Sequence, residues 1–412
     1  MPYIAGGIFK GDTAHHKTNL LCQQQLDLVD PCVITLESSQ YSALLKFGFY
    51  EMESSQEMVS IAPDEKSFLC GRLFSKSTGE AVTISSLDVA AIKRTQGKEL
   101  AQNYWGRYIL LLLDDEGITF YRDPQGLSVL YYTHIDQGYL FVTNLSSLVD
   151  ALPSEVTINW TYLTSFIASN HNITTVTPFN DIYELLPGCA TTFKINASPE
   201  ISQFWDPTTI SSSYIEDEDS FQQKIFETAQ MTLSSWVLGS NKVNIELSGG
   251  LDSSSLLALL KYGGYDCPVQ ALNFFNSSFA ASDEKEFAQD VSDLYQVPVK
   301  FINSKELLPF GELHLSRRYD RPSSALLDTS VIRHVISAMN VSKDDEILSG
   351  QGGDHLFLAP PSREAYVDYM LDQGFFHNTA ILKDICAYYR MPYLALMKDS
   401  IFSYVSLYAR KA

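Results

Sequence analysis

The sequence predicts two domains of different fold class: an α+β sandwich of two packed antiparallel sheets over residues 1–205, and an α/β domain with a parallel sheet over residues 206–412. Three observations favour this division. The first half is rich in short strand-like runs separated by turn residues, with few long helical patterns between them. The second half alternates strand-like and helical periodicities. A length of 412 residues is enough for two domains.

Composition narrows the class of protein. Apolar residues make up 45% of the chain and aromatic residues 12%, which supports packed cores rather than disorder. The net charge of −20 argues against a nucleic-acid partner, because a phosphate backbone has to be neutralised by Lys and Arg. No basic segment followed by an apolar run opens the chain, and no apolar stretch is long enough to span a membrane. We therefore expect a cytoplasmic protein with no membrane partner.

The cysteines show no CxxC spacing. We expect buried thiols in a reducing compartment, without a disulfide framework or a zinc site. They are Cys22, Cys32, Cys70, Cys189, Cys267 and Cys386.

The elements follow in chain order. Strands are predicted in the first half at Tyr3–Phe9, Cys32–Leu36, Ser67–Leu73, Arg107–Leu113, Ile118–Tyr121, Val129–Tyr132 and Tyr139–Val142. The second half is predicted to contain a helix over Glu216–Gln230, a strand over Val243–Leu247, a helix over Asp252–Lys261, a strand over Val269–Phe275, a helix over Asp283–Tyr295, and strands over Val297–Ile302 and Glu346–Leu348. Such an alternation predicts a doubly wound sheet that binds ligands at the carboxyl ends of its strands.

The motif Ser-Gly-Gly-Leu-Asp-Ser-Ser follows the first of these parallel strands and opens a helix. Its glycines, Gly249 and Gly250, let the backbone approach a ligand, and the helix N-terminus favours an anion. Ser248, Ser253 and Ser254 add hydroxyl groups. A phosphate or pyrophosphate fits this chemistry, although no Lys follows the glycines as a Walker A motif requires. An ordinary Gly-rich turn is the alternative.

Two aspartates come just after strand ends, each beside glycines. Asp252 follows the first strand of the parallel sheet and Asp354 follows the strand at Glu346–Leu348. Both are expected to face one crevice, where two carboxylates beside a polyphosphate require a hard cation. Mg²⁺ binds through one or two carboxylates plus phosphate oxygens, so we predict that both hold Mg²⁺. For either Asp alone, an N-cap or turn role is the alternative.

The motif from Ser248 to Ser254 resembles the pyrophosphate loop of the ATP-pyrophosphatase group, which includes asparagine synthetases, β-lactam synthetases and lasso-peptide cyclases. The resemblance implies cleavage of ATP to AMP and pyrophosphate with adenylation of a carboxylate. In the first half, Gly6–Phe9, Trp105–Tyr108, Arg122–Gly126 and Leu186–Gly188 resemble the Ntn-hydrolase-like class II glutaminase domain. For Gly106, Arg122 and Asp123 we favour turn and core packing.

One departure from the glutaminase pattern bears on activity. A working glutaminase uses a Cys directly after the initiator Met as its nucleophile. This sequence has Pro2 there. We expect no glutamine hydrolysis, and a domain that serves as a scaffold or docking surface.

The segment Ser349–Phe357 is the second signature, with Gln351 where β-lactam synthetases place a Tyr. Its Gly-Gly-Asp-His form resembles lasso-peptide cyclases, whereas asparagine synthetases carry Gly-Glu-Gly-Ser-Asp-Glu there. The resemblance implies AMP contacts at Leu247, Phe274 and Gly350, mostly through the backbone. It places Asp283, Glu284, Gln351 and His355 near nucleotide or substrate. A packed His and an acidic first helical turn are the structural alternatives for His355 and for the Asp283–Glu284 pair.

These features together predict an ATP-dependent, AMP-forming amide ligase with ATP and Mg²⁺ as cofactors. A lasso-peptide cyclase is the favoured member, in which the N-terminal amine of a precursor peptide attacks an adenylated Asp or Glu of the same peptide. The partners implied are the precursor peptide and a leader peptidase, in antibiotic biosynthesis. An ammonia-using asparagine synthetase, a β-lactam synthetase, and a non-catalytic nucleotide- or peptide-binding homologue are the alternatives.

Compared with the family, the tail after Asp354 is short. The family carries a catalytic Lys in that region, and Lys383, Lys398 and Lys411 have no comparable Gly-rich or strand-end setting. The apolar run Ile401–Leu407 lies almost at the terminus. We therefore expect an incomplete synthetase that binds ATP weakly and tends to associate through exposed apolar surface.

Overall fold

The computed structural model describes residues 3–10, 28–37, 41–50, 59–135, 138–152, 156–169, 174–209, 217–265, 267–278, 284–307, 321, 329–356, 366–367, 379–398 and 400. The chain divides into two compact units. One consists of Met1–Gly250 with Ser254–Leu348, and the other of Leu251–Ser253 with Ser349–Ala412. Pro2, Cys22, Asp283, Lys411 and the run Ile401–Leu407 lie outside the described residues.

The first half forms two six-stranded antiparallel sheets. Their strands are β1 (Tyr3–Phe9), β2 (Leu28–Glu37), β3 (Ser42–Tyr50), β4 (Val59–Ile61), β5 (Ser67–Ser75), β6 (Tyr104–Leu113), β7 (Gly117–Arg122), β8 (Tyr131–Ile135), β9 (Gly138–Val142), β10 (Ile182–Glu184), β11 (Cys189–Lys194) and β12 (Glu200–Gln203). The strand orders are β10-β8-β9-β1-β3-β2 and β12-β11-β7-β6-β5-β4.

The two sheets pack face to face over an aromatic core. Phe47 of the first sheet stacks on Phe68 of the second, with ring centroids 5.0 Å apart. Helices α1 (Val89–Arg94) and α2 (Lys98–Asn103) cover the outer face of the second sheet, and α3 (Leu145–Ala151) covers that of the first. Helix α4 comprises Trp160–Ser169. The result is a helix–sheet–sheet–helix sandwich, because each sheet is apolar on both faces.

The second half contains a four-stranded sheet of β13 (Lys242–Glu246), β14 (Val269–Phe275), β15 (Val299–Asn303) and β16 (Asp345–Ser349), in the order β15-β14-β13-β16. Strand β14 pairs in parallel with β13 and with β15. Helices α5 (Glu218–Val237), α6 (Leu251–Tyr262) and α7 (Lys285–Tyr295) pack on one face, and α8 (Thr329–Met339) packs on the other. Helices α9 (Gly353–Leu356) and α10 (Thr379–Tyr388) follow. This arrangement confirms the predicted doubly wound sheet.

An arginine joins the second antiparallel sheet to the parallel sheet. Arg72 of β5 is 7% exposed, and its Nη1 lies 3.0 Å from Oε1 of Glu346 in β16. Its Nη2 donates to the carbonyls of Ser235 and Trp236 at the end of α5, and its guanidinium lies 4.7 Å from the Trp236 ring centroid. An arginine with these partners fixes α5 and β16 against the sandwich.

Several element boundaries differ from the sequence prediction, among them the end of α5, which extends to Val237, and the starts of α7 and β15. Helix α7 begins at Lys285, because Glu284 has a non-helical backbone and occupies the N-cap without a side-chain cap bond. The prediction that Glu284 lies in the first helical turn is therefore wrong. Strand β15 begins at Val299, after Pro298, whose ring nitrogen cannot donate to a sheet.

Within the described ranges, every helix is too short or too polar to span a membrane. In the part of the chain that the structure describes, Cys70, Cys189, Cys267 and Cys386 form no disulfide bond.

Candidate functional site

The SGG loop, Ser248–Gly250, is the turn between β13 and α6. Strand β13 ends at Glu246, Leu247 is fully buried, and the chain then leaves the sheet. Gly250 occupies the N-cap of α6 with an extended backbone, φ −73° and ψ 169°. The sequence prediction of a strand-to-helix turn at this motif is thus confirmed.

Gly249 cannot be replaced without moving a neighbouring helix. Its φ is +86°, a backbone conformation that favours glycine. A Cβ on Gly249 would lie 2.5 Å from the Cβ of Phe287 and 2.7 Å from the backbone nitrogen of Ala288, both in α7. The glycine therefore lets the loop pack directly on α7.

The first turn of α6 keeps the features of an anion site. No side chain caps the helix at Gly250 in the described structure. The backbone nitrogen of Gly250 donates to Oγ of Ser248 at 3.2 Å, so that hydroxyl is held over the loop. The Oγ of Ser254 is buried without a hydrogen-bond partner among the described residues. Backbone N–H groups at the positive end of a helix bind phosphate well.

The QGG loop, Ser349–Asp354, closes on Asp252. A Cβ on Gly353 would overlap the carboxyl carbon of Asp252. A Cβ on Gly350 would lie 3.0 Å from the Cβ of Asp252 and 2.8 Å from the backbone nitrogen of Ser253. The glycines of the second signature thus make room for the first carboxylate, and the second carboxylate, Asp354, is the next residue along the chain.

Asp252 and Asp354 are the two carboxylates that the sequence predicts as Mg²⁺ ligands. In the part of the chain that the structure describes, neither Asp252 nor Asp354 has a hydrogen-bond or ion-pair partner. No cluster of three or more His, Cys, Asp or Glu side chains that could hold a metal occurs there either. A pair of carboxylates without protein partners suits Mg²⁺, which completes its shell with water and phosphate oxygens.

The remaining predicted residues are less constrained. Phe274 of β14 is partly buried on the α8 face, and the carbonyl of Leu247 accepts from Asn273. Gln351 and His355 are exposed.

The sequence motifs do not point to Asn273 or Lys285. The Nζ of Lys285 lies 4.1 Å from the centroid of the Phe275 ring. Both follow from tertiary neighbours rather than from a motif. Glu246, the last residue of β13, was also not singled out. Burial raises the pKa of its carboxyl group.

Comparison with protein families finds one match in each half of the chain. Residues 234–383 match the asparagine synthase family, and residues 84–205 match the glutamine amidotransferase domain. Each match covers less than half of the chain.

The residues that match the asparagine synthase family carry the parallel sheet with the SGG loop. The amidotransferase domain carries the antiparallel sandwich. No curated protein matches the chain.

Among solved structures, the chain is similar to glutamine phosphoribosylpyrophosphate amidotransferase from B. subtilis, with 10% identity and a TM-score of 0.31 over 77% of this chain and 95% of that one. It is also similar to the NH₃-dependent NAD synthetase from Campylobacter jejuni, with 13% identity and a TM-score of 0.25 over 44% of this chain and 94% of that one. Because these TM-scores are low, the fold assignment rests on the domain matches and on the sheets themselves.

In the amidotransferase domain, Arg122 and Asp123 of the Arg-Asp-Pro-Gln-Gly motif form hydrogen bonds and an ion pair with other residues of the chain. Arg122 pairs with Oε1 of Glu184 at 2.8 Å and donates to the carbonyls of Leu185 and Gly126. Asp123 is fully buried and accepts from the backbone nitrogens of Leu127 and Ser128 at 3.0 and 2.9 Å. Burial raises the pKa of Asp123, and these N–H groups oppose the rise. The motif is part of the core, as the sequence analysis favours.

Proposed function

We propose that this chain is an AMP-forming amide ligase that adenylates a carboxylate with ATP, and that its substrate is a precursor peptide closed into a macrolactam. The observation that carries the proposal is the uncapped N-terminus of α6 behind the SGG loop, with Asp252 packed under Gly353. A polyphosphate with a bound cation would give partners to the Asp252 carboxylate and the Ser254 hydroxyl, which have none among the described residues.

In this proposal each group has a defined task. The backbone N–H groups that follow Gly249 and the hydroxyls of Ser248, Ser253 and Ser254 bind the leaving pyrophosphate. Asp252 and Asp354 would hold Mg²⁺, which would neutralise charge on the phosphate oxygens. The loop thereby stabilises negative charge that develops as the carboxylate attacks the α-phosphate.

The peptide substrate is supported by the QGG loop, whose Gly-Gly-Asp-His sequence resembles that of lasso-peptide cyclases. In that reaction the adenylated Asp or Glu and the attacking N-terminal amine belong to one molecule. Holding both ends of the peptide makes amide formation unimolecular and supplies much of the rate. The precursor peptide and its leader peptidase are then the partners.

The proposal is tested with ATP, Mg²⁺ and a peptide that has a free N-terminal amine and an internal Asp or Glu, such as one encoded by a neighbouring gene. We expect AMP and pyrophosphate to form and the peptide to lose the mass of one water. The same peptide with an acetylated N-terminus is the control, because it can be adenylated but cannot close. Asparagine formed from aspartate and ammonia, with the peptide unchanged, would favour an asparagine synthetase instead. Binding of an ATP analogue with no AMP from any substrate would indicate a non-catalytic homologue.

A further inference from the structure

Asn273 is a buried polar residue in β14, beside the start of the SGG loop. It is 2% exposed, and its Nδ2 donates to the carbonyl oxygen of Leu247 at 2.9 Å. A carbonyl oxygen only accepts, so the amide nitrogen has to face Leu247, and this fixes the orientation of the side chain. The Oδ1 is then buried without a hydrogen-bond partner in the described structure.

Strand β14 holds both backbone groups of Leu247. The backbone nitrogen of Leu247 donates to the carbonyl of Leu272 at 2.7 Å, and its carbonyl accepts from the Asn273 side chain. Ser248, the next residue, begins the loop. The Asn273 side chain therefore fixes the last peptide unit before the chain leaves the sheet.

An asparagine among the apolar neighbours of position 273 lowers the stability of the folded state. Ala271, Leu272, Phe274 and Phe275 are the apolar neighbours of Asn273 in β14. A buried acceptor without a partner destabilises the folded state, and an apolar side chain of the same size would remove it. A polar residue kept in such a strand indicates a role other than core packing.

We propose that Asn273 is a positioning residue for nucleotide binding, because it sets the point and direction in which the SGG loop leaves β13. This inference rests on the proposed function, since the ligand of the loop is taken to be the pyrophosphate of ATP. The Asn273 side chain acts through Leu247 and does not contact the nucleotide. Its removal makes the backbone amides of the loop more mobile and leaves the core packed.

Asn244 provides a matched comparison. It is fully buried in β13, its Nδ2 donates to the carbonyl of Glu346 at 3.4 Å, and its Oδ1 also has no partner among the described residues. Asn244 differs from Asn273 in its position, because it lies in the middle of β13 and on the opposite face from Leu247. A purely structural role predicts the same behaviour for both asparagines.

The experiment compares Asn273→Leu with Asn244→Leu in the full chain. Leucine has the same number of side-chain heavy atoms and the same branching as asparagine, and it removes both the donor and the unpaired oxygen. The first readout is hydrogen–deuterium exchange without nucleotide, followed in peptides that cover residues 247–251. The second is the Kd of α,β-methylene-ATP with Mg²⁺, measured by calorimetry. Asn273→Ala is a second variant if the leucine disturbs packing.

Asn273→Leu is expected to exchange faster at the loop amides and to raise the Kd about tenfold, the equivalent of one lost hydrogen bond. Asn244→Leu is expected to leave both readouts near wild type. Unchanged loop exchange in Asn273→Leu, or equal effects in both variants, would overturn the inference. A wild-type chain that does not bind the analogue would contradict the proposed function, whereas loop exchange would still decide the role of Asn273.

Discussion

Two motifs of this chain each place an Asp and a Gly shortly after a strand, but their polar groups have different partners. Arg122–Gly126 begins at the last residue of β7, and Ser248–Ser254 follows β13. In the first motif, Asp123 is fully buried and accepts two backbone hydrogen bonds. In the second, no side chain caps the helix at Gly250, and Asp252 has no hydrogen-bond or ion-pair partner among the described residues.

This difference in hydrogen-bond partners distinguishes residues that stabilise the fold from residues whose polar groups are available to a ligand. A motif whose polar groups form hydrogen bonds within the chain stabilises the folded state. Substitutions in it are expected to lower the free energy of unfolding. A motif whose carboxylates have no such partners contributes little to the stability of the fold. Substitutions in it are expected to lower the affinity for the ligand. Each prediction below therefore pairs a stability measurement with a nucleotide-binding measurement.

The largest expected effect is on stability and comes from Arg122→Ala. The change leaves Glu184 buried with only Arg321, whose Nη2 lies 2.6 Å from Oε2 of Glu184. Removing one member of a buried ionic group costs about 3 kcal/mol. Urea denaturation should show this loss, while the Kd of the Mg²⁺–ATP analogue stays unchanged.

Lys194→Ala is the control for that variant, because the Lys194–Glu116 pair is exposed at 2.9 Å. It should leave the unfolding transition close to wild type. A loss of nucleotide affinity in a folded Arg122→Ala variant would contradict the structural role of the motif.

Asp252→Asn should produce the opposite pattern. The substitution keeps the shape of the side chain and removes the charge that would hold Mg²⁺. We expect the Kd of the Mg²⁺–ATP analogue to rise about 10–100-fold, with the urea midpoint unchanged. Asp290→Asn, at an exposed position of α7, is the control for a lost surface charge. Full affinity with unchanged Mg²⁺ dependence in Asp252→Asn would remove this Asp from the metal site.

Gly249→Ala should weaken nucleotide binding about tenfold, because relief of the overlap with Phe287 has to move the loop or α7. The matched control is Gly264→Ala, where φ is +65° and no atom lies within 4 Å of the added Cβ. The control carries backbone strain alone and should cost roughly 1 kcal/mol of stability with unchanged affinity. If both variants bind equally well, contact with α7 does not set the loop.

The smallest expected effect is that of Ser254→Ala. Its hydroxyl is buried without a hydrogen-bond partner among the described residues, so its removal should leave the free energy of unfolding unchanged or raise it by up to about 1 kcal/mol. Nucleotide affinity should fall about threefold to tenfold, since a neutral donor to phosphate is lost. The exposed Ser255→Ala is the control. A stability loss in Ser254→Ala without a change in affinity would show that the hydroxyl serves the fold.

Much of the asparagine synthase domain could be predicted from sequence, because local patterns specify it. Alternating apolar residues predict β13 and β14, and Gly263 and Gly264 end α6 where expected. The motif chemistry also predicts which loop binds an anion. Both signatures are predicted to lie together because the carboxyl ends of parallel strands lie at one edge of a sheet.

The parts that sequence could not supply depend on contacts between distant residues. The need for glycine at 249 comes from Phe287 in another helix, and the role of Asn273 comes from the carbonyl of Leu247 on the neighbouring strand. Strand β3 escaped prediction because its run of apolar residues has no clear alternation. Glu284 was misplaced because its acidic character fits a first helical turn as well as the N-cap it occupies.

Hydrogen–deuterium exchange with and without Mg²⁺ and α,β-methylene-ATP tests the central claim, that the unsatisfied motif is the nucleotide site and the satisfied one is not. Peptides covering residues 247–256 and 349–356 should gain protection when the analogue binds. Peptides covering residues 122–128 should exchange at the same rate in both conditions. Protection at residues 122–128, or bound nucleotide with no protection at residues 247–256, would contradict the account.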